Sequence, residues 1–152
     1  MAAPVVSRAR RNALVHATAA AALVVGARLA SGALPADTSQ KPELRWFEAA
    51  EAMKRLALSW GDQPYGAVLV ANGAIVGDGP SRVVKRNDPN AHAEREAIRD
   101  AQSRLGRGDL AGSVLYSTSR PCRDCENAAA AAQVARMIFG AQLSDAGQPK
   151  FQ

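Results

Sequence analysis

Cysteine and histidine are scarce in this chain: 152 residues hold two of each. Two cysteines cannot build a disulfide framework, and four such side chains leave room for one small soft-ligand metal site at most. Acidic residues are missing from the first 36 positions, which carry Arg8, Arg10, Arg11 and Arg28. Long apolar runs are missing too; the alanine-rich stretch from Ala17 to Ala27 is too short for a bilayer, which takes about 20 residues. A basic body is also absent. The formal net charge is +5, but beyond residue 36 the chain has 15 basic against 14 acidic side chains. Phosphate contacts supply much of the affinity for nucleic acid, so this near-neutral body argues against a nucleic-acid partner. What remains is 47% hydrophobic and 22% charged, the profile of one ordinary globular domain with a modest core.

Residues 1–36 read as an address, separate from the fold. Arg10-Arg11 precede the apolar stretch, and Ser31-Gly32-Ala33 suits cleavage after Ala33. Paired arginines before a weakly hydrophobic run resemble a bacterial twin-arginine signal. The expectation is export, to a bacterial periplasm, with no stable membrane span after processing. A cytoplasmic protein with an uncleaved N-terminal helix and an organellar transit peptide are the alternatives. Residues 37–42 read as a linker and 43–152 as the folded domain.

Within that domain the pattern is helical from Glu43 to Trp60, with Trp46, Ala49, Ala50, Met53, Leu56, Ala57 and Trp60 on one face. Ala67–Ala71 and Ala74–Gly77 are short apolar runs joined by Asn72-Gly73, a strong hairpin signal. A polar loop follows, from Gly79 to Asn90; its Arg82, Lys85 and Arg86 read as solvated, with contact to a phosphate or acidic substrate as the alternative. A second helix begins near Ala91, a strand spans Val114–Thr118, a third helix starts near Cys122 and a strand spans Arg136–Phe139. After Gly140 the tail reads as polar and featureless. This order predicts an α/β domain with helices on both faces of a central sheet.

The chemistry is concentrated in two short segments. His16 falls in the leader, so every other metal-capable Cys and His lies in His92-Ala93-Glu94 or Pro121-Cys122-Arg123-Asp124-Cys125. One imidazole and two thiolates make three ligands. A structural zinc site takes four, whereas a catalytic one keeps a position open for water. Cys122 and Cys125 share a helical face at a helix N-terminus, where the dipole favours thiolate. Zinc lowers the pKa of bound water to about 7, and a neighbouring carboxylate, Glu94, can then carry protons as general base and general acid. Residues two apart on a helix point about 200° from each other, so His92 and Glu94 cooperate only at a helix end. A redox pair at Cys122 and Cys125 is the competing reading, and it leaves His92 and Glu94 unexplained.

His-x-Glu followed by Pro-Cys-x-x-Cys resembles the signature of zinc-dependent nucleobase deaminases. Asn87 to Glu94, Ala97-Ile98-Arg99, Pro64-Tyr65-Gly66-Ala67-Val68 and Leu115-Tyr116-Ser117-Thr118 are similar to motifs of the guanine deaminase and tRNA adenosine deaminase branch of the cytidine/deoxycytidylate deaminase superfamily. The resemblance runs from about Glu43 to Gly140. It implies a three-layer α-β-α cytidine deaminase-like fold, one zinc held by His92, Cys122 and Cys125, Glu94 as proton shuttle, and hydrolytic release of ammonia. The expected substrate is a small aminated nucleobase, nucleoside or related heterocycle. A tRNA adenosine deaminase and a zinc-binding relative without catalysis are the alternatives. Three departures stand out. Ser81 occupies the place of an Asn that contacts the base, which makes Ser81 the candidate substrate-binding residue. Arg120 stands where the branch commonly has Glu. The usual C-terminal strand and helix look missing, so the edge of Arg136–Phe139 is expected to be open and covered in a homodimer or higher homo-oligomer.

Overall fold

The computed structural model describes residues 42–152. The leader read at residues 1–36, with its twin-arginine signal, and the linker read at 37–42 as far as residue 41 lie outside the described residues. In order, the elements are α1 (Pro42–Ser59), β1 (Gly66–Ala71), β2 (Ala74–Pro80), α2 (Val83–Arg86), α3 (Ala93–Leu105), β3 (Val114–Ser117), α4 (Arg123–Ala131), β4 (Arg136–Phe139) and β5 (Ser144–Gly147). Five strands form one mixed sheet in the order β2-β1-β3-β4-β5, as an α/β fold with helices on both faces requires. Only β3 and β4 run parallel, joined through α4.

Binary patterning explains the layers. β1 is buried along nearly its whole length because it is covered on both sides. On one side Val68, Val70 and Tyr116 meet Ala50 of α1, with Trp46, Ala49 and Met53 packed around them. On the other, Ala67, Leu69, Leu115 and Met137 meet Ala97, Ile98 and Ala101 of α3 and Ala129 of α4. The predicted Asn72-Gly73 turn joins β1 to β2, with both residues at positive φ (50° and 71°), the geometry a two-residue hairpin demands.

Gly77 and Gly79 alternate along β2 and are buried against Ala93, Ala97 and Ala101 of α3. Small residues on both elements let the helix backbone lie directly on the strand. This contact seats the start of α3, and with it the segment carrying His92 and Glu94.

The structure departs from the sequence pattern in two places. The stretch Gly79–Asn90 contains the short helix α2, clamped by ion pairs rather than by an apolar face. The tail after Gly140 is not featureless, and the β4 edge is not open. Gly140 and Leu143 take positive φ (70° and 53°) and reverse the chain. Ser144–Gly147 then pairs antiparallel with β4, with Phe139 opposite Ser144 and Met137 opposite Gly147. The guanidinium of Arg136 bonds the Asp145 carboxylate, with Nε at 2.9 Å. An exposed edge strand held by backbone hydrogen bonds and one ion pair needs no apolar alternation, so its sequence carries no strand signal.

Candidate active site

The sheet brings four chain segments to one end. β1 runs antiparallel to β3, pairing Ala67 with Ser117, so residues just before β1 meet residues just after β3. β2 is antiparallel to β1, pairing Gly66 with Pro80, so the exit of β2 lies at the same end. There the chain turns through residues 81–91 into α3, and β3 turns into α4.

Each helix presents its N-cap to this end. His92 caps α3 with an extended backbone (φ −63°, ψ 152°), and Cys122 caps α4 in the same way (φ −75°, ψ 166°). Because His92 lies outside the helix proper, its side chain escapes the 100° step per residue. It therefore shares the site with Glu94, in the first turn, despite their spacing of two. Nδ1 of His92 lies 3.6 Å from Cys122 Sγ and 3.4 Å from Cys125 Sγ, and the two sulfurs are 3.1 Å apart. Cys122 Sγ also accepts the backbone N–H of Cys125 at 3.4 Å. Glu94 reaches in from α3, its Oε2 being 3.6 Å from Cys125 Sγ.

These three side chains could hold a metal ion, their ligand atoms all lying within 4.8 Å of one another. Tetrahedral zinc with bonds of about 2.0–2.3 Å sets its ligands about 3.5–3.8 Å apart, so the trio fits after a small parting of the sulfurs. Electrostatics favours the same conclusion. Burial pushes the Cys125 thiol far up, and the nearby Glu94 carboxylate pushes it further. Burial likewise raises the Glu94 carboxyl above its ordinary value, against the opposing pull of its hydrogen bonds and of His92. Two thiolates and a carboxylate crowded here need a dication to be stable together, and the N-termini of α3 and α4 supply only partial positive charge.

A cavity of about 360 Å³ opens onto His92, Glu94 and Cys122, and Gln63, Tyr65, Ser119 and Arg120 form its other walls. That volume lies in the lower range of small-ligand sites. Gln63 and Tyr65 precede β1 and Ser119 and Arg120 follow β3, so the pairing of those strands unites the two walls; no local spacing marks Gln63 or Ser119.

Ser81 is not brought to this cavity. It is fully buried, and its hydroxyl donates to Asp62 Oδ1 at 2.9 Å. Asp62 also accepts the backbone N–H groups of Gln63 and Lys85, each at 2.8 Å. Burial alone would raise the Asp62 carboxyl, but these hydrogen bonds outweigh it and hold it below its ordinary value. The Ser81–Asp62 pair thus fastens the segment that leads from β2 towards His92. Arg82 and Arg86 are engaged as well: with Arg99 they surround the buried Glu96 carboxylate at 2.8–3.3 Å. Lys85 Nζ sits 3.6 Å from the centre of the Trp60 ring. The basic loop is therefore an anchored one.

Residues 40–141 match the family described as the cytidine and deoxycytidylate deaminase zinc-binding region. Guanine deaminase of Bacillus subtilis is 40% identical over 88 residues, covering 58% of this chain and 56% of the relative. A tRNA-specific adenosine deaminase of Buchnera aphidicola is 35% identical over 100 residues, covering 66% of each. The chain thus spans 56–66% of the length of these two relatives. The chloroplastic tRNA(adenine(34)) deaminase of Arabidopsis thaliana is 38% identical over 99 residues, 65% of this chain and 8% of that protein. The solved structure of the Bacillus subtilis guanine deaminase superposes with a TM-score of 0.61 at 35% identity, over 64% of this chain and 62% of that one. These relatives overturn the expectation of export to a periplasm: enzymes specific for tRNA work where tRNA is, and one of them is chloroplastic. Among the described residues no helix is long and apolar enough to cross a membrane. With the sequence match, the fold and the zinc-compatible trio all in agreement, this chain belongs to the cytidine and deoxycytidylate deaminase zinc-binding family, and its metal is zinc.

Proposed function

We propose that this protein is a hydrolytic deaminase that replaces an exocyclic amine of a small nucleobase, nucleoside or related heterocycle by a carbonyl oxygen, releasing ammonia. The observation that carries the reading is the buried Glu94 carboxylate standing in one cavity with His92 and Cys122, its Oε2 3.6 Å from the sulfur of the buried Cys125. In this reading His92 Nδ1 and the sulfurs of Cys122 and Cys125 hold the zinc. The metal, when bound, supplies Lewis acidity that lowers the pKa of a water to about 7. The carboxylate of Glu94 takes a proton from the attacking water and gives it to the ring nitrogen beside the amine-bearing carbon. A second proton then passes through the same oxygen to the departing amine, so one water is consumed and one ammonia leaves. Burial suits Glu94 to this work because it favours the protonated form part-way through the cycle.

Residues 43–152 form the deaminase domain of this reading, with 1–36 and 37–42 outside it. A cavity of this size and a near-neutral body favour a free small substrate; the relatives' own names include tRNA, and a tRNA anticodon stem-loop belongs in the same screen. Association into a homo-oligomer is also part of the reading, supported by exposed apolar side chains such as Leu58, Val84 and Phe151; a monomer by light scattering at micromolar concentration refutes it.

Ammonia release from a panel of aminoheterocycles, with Glu94→Gln beside the wild type, is the direct test. The variant should keep its zinc and lose at least the 10²–10⁴-fold or so that general acid–base catalysis supplies. Equal turnover in both proteins would remove Glu94 from the mechanism.

A further inference from the structure

The cavity wall carries one formal charge that the proton transfers do not use. Arg120 lines the same cavity as Glu94 and Cys122, and among the described residues its guanidinium forms no ion pair within 4.0 Å. Its aromatic neighbour, Phe139, lies 6.0 Å away at ring centre, at the outer limit of a cation–π contact. Five other arginines of the domain are ion-paired among the described residues, Arg82, Arg86 and Arg99 with Glu96, Arg104 with Asp78 and Asp100, and Arg136 with Asp145. Arg45, Arg55, Arg95, Arg107 and Arg123 are not, but none of these lines the cavity.

The mounting of Arg120 is rigid although its side chain is exposed. Pro121 follows it and restricts its backbone to extended conformations. The preceding residues are tied at each step. Thr118 N–H donates to Gly66 O at 2.9 Å and Gly66 N–H donates to Thr118 Oγ1 at 3.2 Å, while Ser117 Oγ donates to Ser119 O at 2.6 Å. A fixed loop therefore presents a five-donor cation to a cavity whose remaining walls, Gln63, Tyr65 and Ser119, are uncharged.

Pairing says what this cation meets. Two thiolates neutralise a zinc dication, and Glu94, buried although it lines the same cavity, forms no ion pair with Arg120 within 4.0 Å. An uncharged aminated ring would leave the guanidinium without an anionic partner. We infer that Arg120 selects substrates whose aminated ring carries an anionic oxygen group, a phosphate or a carboxylate, which the guanidinium holds by paired N–H···O bonds. This rests on the deaminase reading of the cavity and adds the substrate class to it.

Calorimetric binding to the zinc-loaded full chain tests it apart from turnover. The ligand pairs are cytidine and guanosine with their 5′-monophosphates, and cytosine with 5-carboxycytosine; the first pairs report a phosphate, the last a carboxylate. The wild type should prefer the charged member of at least one pair by about tenfold or more, the scale of a charge-assisted hydrogen bond. Arg120→Gln should reduce that ratio to near one with zinc content unchanged, and Arg120→Lys should restore part of it. In the wild type alone, high salt should shrink the ratio, since the contact lies at an open wall. No charged-over-neutral preference in any pair, or a preference that survives in Arg120→Gln, overturns the inference. Failure of the deaminase reading looks different: selective binding without ammonia from any member of the panel.

Discussion

Gly79→Ala is the most informative single change in the scaffold. A methyl at this position would overlap the carbonyl oxygen of Ala93 and stand 2.6 Å from Ala97 N and 2.8 Å from Ala97 Cβ. Two of those three atoms are helix backbone, so no side chain can swing aside; α3 must retreat from β2. Ordinary contact begins near 3.4 Å, which puts the retreat at about 1 Å. Overpacking of this kind costs about 1–3 kcal/mol, or roughly 5–20 °C in Tm for a domain of this size. The retreat begins at Ala93, between His92 and Glu94, and misplacing reacting groups by about 1 Å costs on the order of 10²-fold in rate. The control is Gly108→Ala, where an added methyl has nothing within 4 Å and φ is not positive. Thermal unfolding of the zinc-loaded proteins, followed by zinc analysis and ammonia release, measures all three effects. If Gly79→Ala melts with Gly108→Ala and reacts as the wild type does, the close seating of α3 does not hold the site.

Stripping zinc should destabilise the domain, because a ligand bound only by the folded state contributes about 2.7 kcal/mol when present at 100 times its Kd; a chelator should lower Tm by about 10 °C or more, and Cys125→Ala should reproduce that loss without chelator. An unchanged melting curve after complete zinc removal would contradict this. Asp62→Asn should cost about 2–4 kcal/mol, since charge-assisted bonds from Ser81, Gln63 and Lys85 are weakened together. The Asp62 carboxyl is held below its ordinary value of 3.8 in the fold, so its contribution is present above that value and is lost as pH falls through the lower folded value. Urea unfolding across pH 2–7 should therefore show a flatter acid limb for Asp62→Asn than for the wild type, and parallel limbs would refute the assignment.

What the sequence determined by itself was whatever depends on near neighbours along the chain. The i, i+3 spacing of Cys122 and Cys125 after a strand, with His92 and Glu94 as the remaining chemistry, was enough to name the trio that the fold gathers within 4.8 Å. Asn72-Gly73 announced its own turn, and the apolar periodicity of Trp46 to Ala57 announced α1. Tertiary structure decided whatever depends on strand pairing. Gln63 and Ser119 became two walls of one cavity because β1 and β3 run antiparallel. Ser81, at a plausible distance from His92 in sequence, was turned away from the cavity because Asp62, 19 residues earlier, holds its hydroxyl. β5 exists because two residues with positive φ reverse the chain and the free edge of β4 accepts any backbone, even the polar Ser144–Gly147. Periodicity reports which face of an element is buried; it carries no information on which distant backbone will lie beside it, and that pairing is what built the walls around the trio.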